Sequence, residues 1–394
     1  MRQLVYYESR KHFLTKQMFV MVLILLIVNA IKISSVFREQ SAFTDLNEDC
    51  FREAYDKLYK TYKGELTDKK LKDFMDLYQP IKDKVDAGAY STKAEKGALT
   101  INSFSDCLFL GRCFLDDIEY ETAYEDYANT VVRNAVSNIS FFKSKKHSFE
   151  ANVNYKIAKA FYQRKLANFY NTDGFRSLLY YDFSTIIIIL LCLYGCSSVF
   201  IKEEETEMHL LLKTSVKGKG ASFAAKITSC MLFVFFICIL FSIEDYTFFF
   251  INFGNMDGFS EPLYILEGFK DTLLNINLIS FYILCVISKL IGICGFAFIF
   301  MMVSLFGKNT LSVLVVNIVM LAGIIGTYTI NVSTLKYVNP LSLVFGRKLF
   351  MRQEFIKLHN YPLSNSLLPY IFSGIIIMIG IALMSRRWKR GVKS

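Results

Sequence analysis

The sequence predicts a mainly α membrane protein, with six transmembrane helices and a mostly helical extracytoplasmic domain between the first and the second. Of its 394 residues, 53% are hydrophobic, and the mean hydropathy of +0.33 lies well above that of an ordinary soluble domain. Six apolar runs approach or exceed the roughly 20 residues that a helix needs to cross a bilayer. The residues between the first two runs are densely charged and contain no such run.

The first span is predicted at residues 17–37. The basic segment before it, residues 1–16, is expected to lie as an interfacial helix on the cytoplasmic surface. A signal peptide would also begin with a basic region and an apolar core. No small-residue cleavage pattern follows, and the run is long enough to cross if Lys32 reaches out to the headgroups. We therefore expect a membrane span here.

Residues 38–177 are predicted to form the extracytoplasmic domain. Aromatic and aliphatic residues recur in it at helical intervals, which indicates a mainly helical fold. The segment is long enough to bury a core of its own. One such stripe consists of Phe51, Tyr55, Leu58 and Tyr62.

The rest of the chain alternates apolar runs with polar connections, and each long run predicts a span. The predicted segments are a second span at 178–201, a cytoplasmic loop at 202–226, a third span at 227–243, an outer loop at 244–277, a fourth span at 278–306, a fifth at 310–330, an outer amphipathic segment at 331–366, a sixth span at 367–385 and a cytoplasmic tail at 386–394.

Basic residues determine the predicted orientation. They flank the N-terminal segment, the loop at 202–226 and the tail at 386–394, so these parts and both termini are expected in the cytoplasm. The outer segment at 331–366 conflicts with this rule. It carries Lys336, Arg347, Lys348, Arg352 and Lys357.

The loop at 202–226 presents its parts in a distinctive order. An acidic run at 203–207 follows the aromatic end of the second span, a Leu patch at 210–212 and a Thr/Ser, basic and Gly segment at 214–220 come next, and Lys226 opens the third span. This order resembles the cytoplasmic loop of ABC-2 type permeases, the membrane subunits of one class of ATP-driven exporters. Asn339-Pro340 before short outer helices adds to the resemblance.

The resemblance implies that this loop contacts a cognate ABC ATPase subunit, present in two copies, which binds the ATP and Mg²⁺. It also implies a second permease copy or a paralogue. The cargo would be a peptide or an amphipathic or lipidic compound, in antimicrobial peptide export or immunity. The acidic side chains would pair with cations of the ATPase while the leucines fill a groove in it. The implied coupling residues are Glu203, Glu204, Glu205, Glu207, Leu210, Leu211, Lys213, Thr214 and Lys226.

Motifs for chemistry of the chain's own are missing from the sequence. Gly218-Lys219-Gly220 lacks the spacing and the hydroxyl of a phosphate loop, so we expect no ATP hydrolysis by this chain and no cofactor within it. No His-Glu-x-x-His or Gly-x-Ser-x-Gly pattern occurs, and the cysteines lack zinc-ligand spacing. The +10 net charge lies beside apolar runs, which favours membrane orientation over nucleic-acid binding.

Several polar residues have more than one interpretation. The four isolated histidines, His12 among them, are expected on the surface or at interfaces. A disulfide between Cys107 and Cys113 would leave Cys50 over, so the state of these thiols is open. Lys289 and Asn317 are candidates for the translocation path. Lys289 would either contact an anionic group of the substrate or extend to the outer interface.

Two other functional classes remain open. A membrane sensor or receptor would also carry a large extracytoplasmic ligand-binding domain. A polytopic lipid-modifying enzyme would need paired carboxylates near an interface, and Glu244-Asp245 is the only close acidic pair at a span end. The abundance of Ile, Lys, Phe, Tyr and Asn is typical of an AT-rich bacterial genome, so the predicted location is the bacterial cytoplasmic membrane.

Overall fold

The computed structural model describes residues 1–40, 48–90, 93–205, 218–254, 256–307, 309–330, 337–352, 354–358 and 361–390. The helices are α1 Arg2–His12, α2 Lys16–Gln40, α3 Glu48–Tyr62, α4 Asp68–Asp86, α5 Ser103–Leu110, α6 Asp116–Ser144, α7 Ser148–Phe161, α8 Asp173–Tyr180, α9 Phe183–Ser197, α10 Ile201–Glu205, α11 Gly218–Phe253, α12 Leu278–Phe306, α13 Thr310–Thr329, α14 Leu341–Val344, α15 Lys348–Met351 and α16 Leu368–Arg390. Two antiparallel hairpins pair β1 Gly64–Glu65 with β2 Asn168–Phe169, and β3 Phe355–Leu358 with β4 Tyr361–Ser364.

Among the described residues, six helical stretches are long and apolar enough to cross a membrane, which confirms a mainly helical fold and agrees with a multi-pass membrane protein. They are Lys16–Glu39, Asp173–Glu203, Gly220–Phe253, Leu278–Phe306, Thr310–Thr329 and Asn365–Trp388, the first to sixth spans below. The second and third spans are longer than predicted. Polar residues such as Lys226 and Asp245 ended the apolar runs in the sequence, but both are buried and hydrogen-bonded inside the continuous helix α11.

The domain between the first and second spans contains α3 to α7. Its core is aromatic: the Phe114 ring lies 5.5–6.3 Å from the rings of five neighbours, which include Tyr62 and Phe169. The predicted stripe faces this core, with Phe51 and Tyr62 buried. All nine cysteines are free thiols, so Cys107 and Cys113 are not bridged. The domain begins and ends inside the predicted 38–177, because α2 continues to Gln40 and α8 already belongs to the second span.

The connections that follow the third and fifth spans pack against this domain. The ring of Tyr264 stacks on Tyr124 of α6 at 5.0 Å, and Lys156 of α7 donates a hydrogen bond to the Pro362 carbonyl in β4 at 2.7 Å. These parts therefore share one side of the membrane, which we call the domain face.

The opposite side, the terminal face, holds both ends of the described chain. Helix α1 packs on α11, and Ser9 hydrogen-bonds Ser229 at 2.8 Å. Trp388 of the sixth span packs against Phe200 and Phe223, with ring centroids at 5.7 and 6.3 Å. Both ends thus meet the second and third spans.

The segment after the fifth span differs from the prediction of an amphipathic surface element. Residues 341–344 are buried between the fourth, fifth and sixth spans. They lie against Gly292, fourteen residues into α12, so the segment packs about 21 Å along the fourth span from its start. Its basic character misled the prediction, because the Arg347 charge is paired with Asp182. We call residues 339–351 the inserted segment.

Candidate functional site

A network of buried charges joins α1, α10 and α11 at the terminal face. Lys226 is fully buried, and its Nζ lies 2.6 Å from Glu203 Oε1 and 3.1 Å from Glu8 Oε2. Lys11 Nζ also contacts Glu203 Oε1, at 3.1 Å. Glu8, Lys11, Glu203 and Lys226 form what we call the junction network.

The backbone of the second span provides a hydrogen-bond acceptor for the Lys226 ammonium. Helix α9 ends at Ser197, and the carbonyl of Val199 just beyond it accepts a hydrogen bond from Lys226 Nζ at 3.2 Å. An ammonium has three donors. Two carboxylates and this carbonyl use all three, which offsets the large cost of burying a charge.

His12 lies beside the network and is buried rather than on the surface. Burial first, and then the positive charges of Lys226, Lys11 and Lys202, lower its pKa from 6.5 to about 2. The imidazole is therefore neutral at physiological pH. Its Nε2 is 3.6 Å from Glu8 Oε2, outside the hydrogen-bond geometry of the described residues.

Two of the nine coupling candidates, Glu203 and Lys226, form an ion pair with each other. Glu203 is thus paired within the chain, and its expected pairing with a cation of another subunit stays a prediction. Glu205 accepts hydrogen bonds from the amide and hydroxyl of Thr310 at 2.8 and 2.9 Å, which links α10 to the start of the fifth span. The Glu204 side chain lies outside the described residues, as do Glu207, Leu210, Leu211, Lys213 and Thr214.

Glu8 and Lys11 are the members of the junction network that the sequence analysis missed. Glu8 is the only acidic residue among the first 38, in a stretch otherwise rich in Arg and Lys. An isolated acid in a basic interfacial helix is the sequence signal that could have identified Glu8.

Asn317, the other candidate for the translocation path, lies in the contact between three spans. It is fully buried between the second, fourth and fifth spans, and its side-chain amide donates to Ser197 Oγ at 2.7 Å. Its position is that of a hydrogen bond between helices in the membrane interior. Lys289 is half-buried in the fourth span, and it borders a small cavity with Asp182 and Arg347.

The acidic pair Glu244-Asp245 also serves helix contacts. Asn29 of the first span donates to both carboxylates at 2.9 Å, and Ser184 of the second span donates to Asp245 at 2.5 Å. Tyr181 in turn donates to Asn29 Oδ1 at 2.7 Å. The pair therefore holds the first three spans together near the domain face.

An open cleft of about 700 Å³ lies between α6, α8 and the connection after the third span. Its polar wall includes Asp116, Asp117, Asp173 and Glu267. Arg176 is shared by Asp117 at 3.6 Å and Asp173 at 3.2 Å. Burial, and then the charge of Asp173, raise the pKa of Asp117 to about 6.

Within the part of the chain that the structure describes, no group of three or more His, Cys, Asp or Glu side chains is placed to hold a metal ion. No family model, no curated protein and no solved structure matches the chain. Its function is therefore inferred from the residues themselves.

Proposed function

We propose that the chain is the permease subunit of an ABC-2 type exporter, which forms a translocation path and is driven by a separate ATPase. The observation that supports this most is the junction network. Glu203 and Lys226 flank residues 206–217 in sequence, so both ends of that connection are tied to one buried ion cluster.

The network suits the transmission of force. Removing one partner of a buried ion pair costs about 3–5 kcal/mol, so the elements it joins move together. A displacement of the connection by the ATPase would act on α1 and on the second and third spans at once. Two ATPase copies would bind ATP and Mg²⁺, and a second permease copy would complete the path in the bacterial cytoplasmic membrane, with both termini in the cytoplasm.

The test is site-specific photo-crosslinking in native membranes. A photoreactive amino acid at Leu211 should capture a protein that carries a Gly-x-x-x-x-Gly-Lys-Ser/Thr phosphate loop, identified by mass spectrometry. The same amino acid at Tyr361, in the exposed hairpin on the domain face, is the matched control. Capture from Tyr361, or the lack of any phosphate-loop protein at Leu211, would contradict the proposal.

A membrane sensor is the second candidate, and the cleft is the observation that favours it. Its carboxylates, with Tyr120 and Tyr180 beside them, suit a cationic amphipathic ligand. A lysine-rich amphipathic peptide should then bind the purified chain, more weakly after Glu267→Gln and normally after the control Glu125→Gln on the exposed side of α6. If the peptide binds but does not change the rate of ATP hydrolysis by a partner captured at Leu211, the sensor is favoured over the exporter.

A further inference from the structure

A cavity of about 40 Å³ lies inside the domain-face half of the membrane region, where the second span, the fourth span and the inserted segment meet. Lys289 is eleven residues from the start of α12, which is about 16 Å along the helix. Polar side chains are rare at such depth and are normally functional or paired. The polar residues around this cavity are Tyr181, Asp182, Thr185, Tyr282, Lys289 and Arg347.

Arg347 lines the cavity, and one of its hydrogen-bond donors, the Nε–H, is unused. Its two terminal nitrogens form a bidentate pair with Asp182 at 2.5 and 2.6 Å, and one also donates to the Leu179 carbonyl at 3.1 Å. The side chain is only 10% exposed. Among the described residues, its Nε–H has no hydrogen-bond acceptor. A buried donor without a partner costs about 1–3 kcal/mol.

Lys289 is a second unused donor. Its ammonium forms no hydrogen bond and no ion pair with the described residues, although its charge acts on Asp245 at longer range. Both neighbouring carboxylates are engaged elsewhere, Asp182 by Arg347 and Asp245 by Asn29 and Ser184. An ammonium in a low-dielectric region needs a nearby negative charge or a polar partner.

We propose that this cavity binds a small anion between Lys289 and the Nε–H of Arg347. The unused groups are donors, which excludes a metal cation on charge and favours an anion. The volume exceeds the roughly 10–15 Å³ that one water requires, so it admits a chloride ion or the anionic oxygen group of a phosphate. Free ions and the headgroup of an anionic lipid share this chemistry. The site does not depend on ATP-driven transport.

The experiment measures thermal unfolding of the full chain in phosphatidylcholine nanodiscs, with chloride or phosphate replacing gluconate at constant ionic strength. We expect a saturable rise in Tm for the native chain. Lys289→Met should weaken this binding at least tenfold, and Lys289→Arg should retain it. Lys348→Met removes the exposed lysine next to Arg347 and is the control, with unchanged anion affinity.

A further readout separates loss of the site from misfolding. In gluconate, Lys289→Met should be at least as stable as the native chain, because it removes a half-buried charge that has no hydrogen bond or ion pair to the described residues. A rise in Tm with phosphatidylglycerol but not with free anions identifies the lipid headgroup as the source. Equal salt responses in all variants, or no response to anion or lipid, would overturn the proposal.

Discussion

At the residue scale, the cost of burying charge explains where the polar side chains lie. Lys226 is tolerated at zero exposure because each donor has an acceptor in place, two of them carboxylates. A lone lysine at that depth would instead lose its proton or turn outward. The network is consequently all-or-none: each member makes the burial of the others possible.

The first prediction removes the central cation of this network. Lys226→Met leaves Glu8 and Glu203 buried without it, so the free energy of unfolding should fall by about 3–5 kcal/mol. Lys16→Met, at the exposed lysine that begins the first span, should change it little. Unfolding by SDS titration in mixed micelles measures both.

A double variant checks that the effect arises from the pair. Glu203→Gln combined with Lys226→Met should lose less stability than the sum of the single losses, because one unpaired buried charge is removed with the other. Strict additivity would show that the two side chains do not interact.

The second prediction concerns Glu121, buried on α6 of the inter-span domain. Burial, and then the charges of Asp117 and Glu261, raise its pKa from 4.5 to about 9. Between these pH values the folded protein holds one proton more than the unfolded chain, so stability falls as pH rises, by up to about 1.4 kcal/mol per pH unit. Glu121→Gln should flatten the dependence of Tm on pH between about 5 and 9.

Glu125 provides the control for this titration. It lies one helical turn further along α6, is exposed, and Glu125→Gln should leave the slope of Tm against pH unchanged. If Glu121→Gln also left the slope unchanged, the Glu121 carboxyl would not titrate with a raised pKa.

At the element scale, the inserted segment depends on the absence of a side chain at Gly292. A Cβ there would come within 2.7 Å of Val344 Cγ2 and 3.0 Å of the Pro340 carbonyl oxygen. Non-helical backbone at membrane depth is tolerated only where protein or a wet cavity surrounds it. Close packing on α12 meets that condition for the turn at 345–347.

The third prediction is that Gly292→Ala destabilises the protein by about 1–3 kcal/mol, because the Pro340 backbone cannot move away without disturbing the segment. Gly323→Ala on the fifth span, where a Cβ would meet nothing within 4 Å, is the matched control. Hydrogen exchange of residues 341–351 should accelerate in the first variant only. Equal exchange rates of residues 341–351 in the two variants would show that the segment does not depend on Gly292.

The elements also show what the sequence can predict. Length and hydropathy gave all six spans, because lipid selects for apolar side chains along the whole helix. The same signal missed the inserted segment, since Arg347 made it look solvent-exposed. Whether the Arg347 charge is solvated or paired depends on Asp182, which lies 165 positions earlier in the chain. The local sequence around Arg347 does not indicate so distant a partner.

At the scale of the whole molecule, the second span is the hub. Its most apolar stretch is 78% buried, against 11–44% for the other five. It carries an ion pair near each end, Asp182 with Arg347 at the domain face and Glu203 with Lys226 at the terminal face. The two acids are twenty-one positions apart, in a span that consists of α8, α9 and α10 with short breaks after Tyr180 and Ser197. An ion pair therefore holds this span near each of its two ends.

The site itself was only half predictable. The acidic run and Lys226 were identified from their order, but their mutual pairing was not, because the sequence gives no distance between the second and third spans. Lys289 was singled out as a charge well within the predicted fourth span. Its neighbours Asp182 and Arg347 come from segments that had been assigned to a span end and an outer amphipathic segment.

The last prediction tests how the inter-span domain connects to the spans. Arg164 is 4% exposed and sandwiched between the rings of Phe161 and Tyr264, at 4.3 and 4.6 Å. Its guanidinium donates to Asn275 Oδ1 at 2.5 and 2.9 Å and to the Thr272 carbonyl at 2.8 Å. These bonds fix the connection three residues before the fourth span begins at Leu278.

Arg164→Met should therefore release that connection. We expect faster hydrogen exchange over residues 263–276, with the exchange of α2 and α16 unchanged, because the spans keep their own packing. Arg133→Met, at an exposed arginine of α6, controls for the loss of charge. Lysine cannot replace the planar, stacked and bidentate guanidinium, so Arg164→Lys should behave like the methionine variant. If it instead preserved slow exchange, positive charge alone would hold the domain to the fourth span.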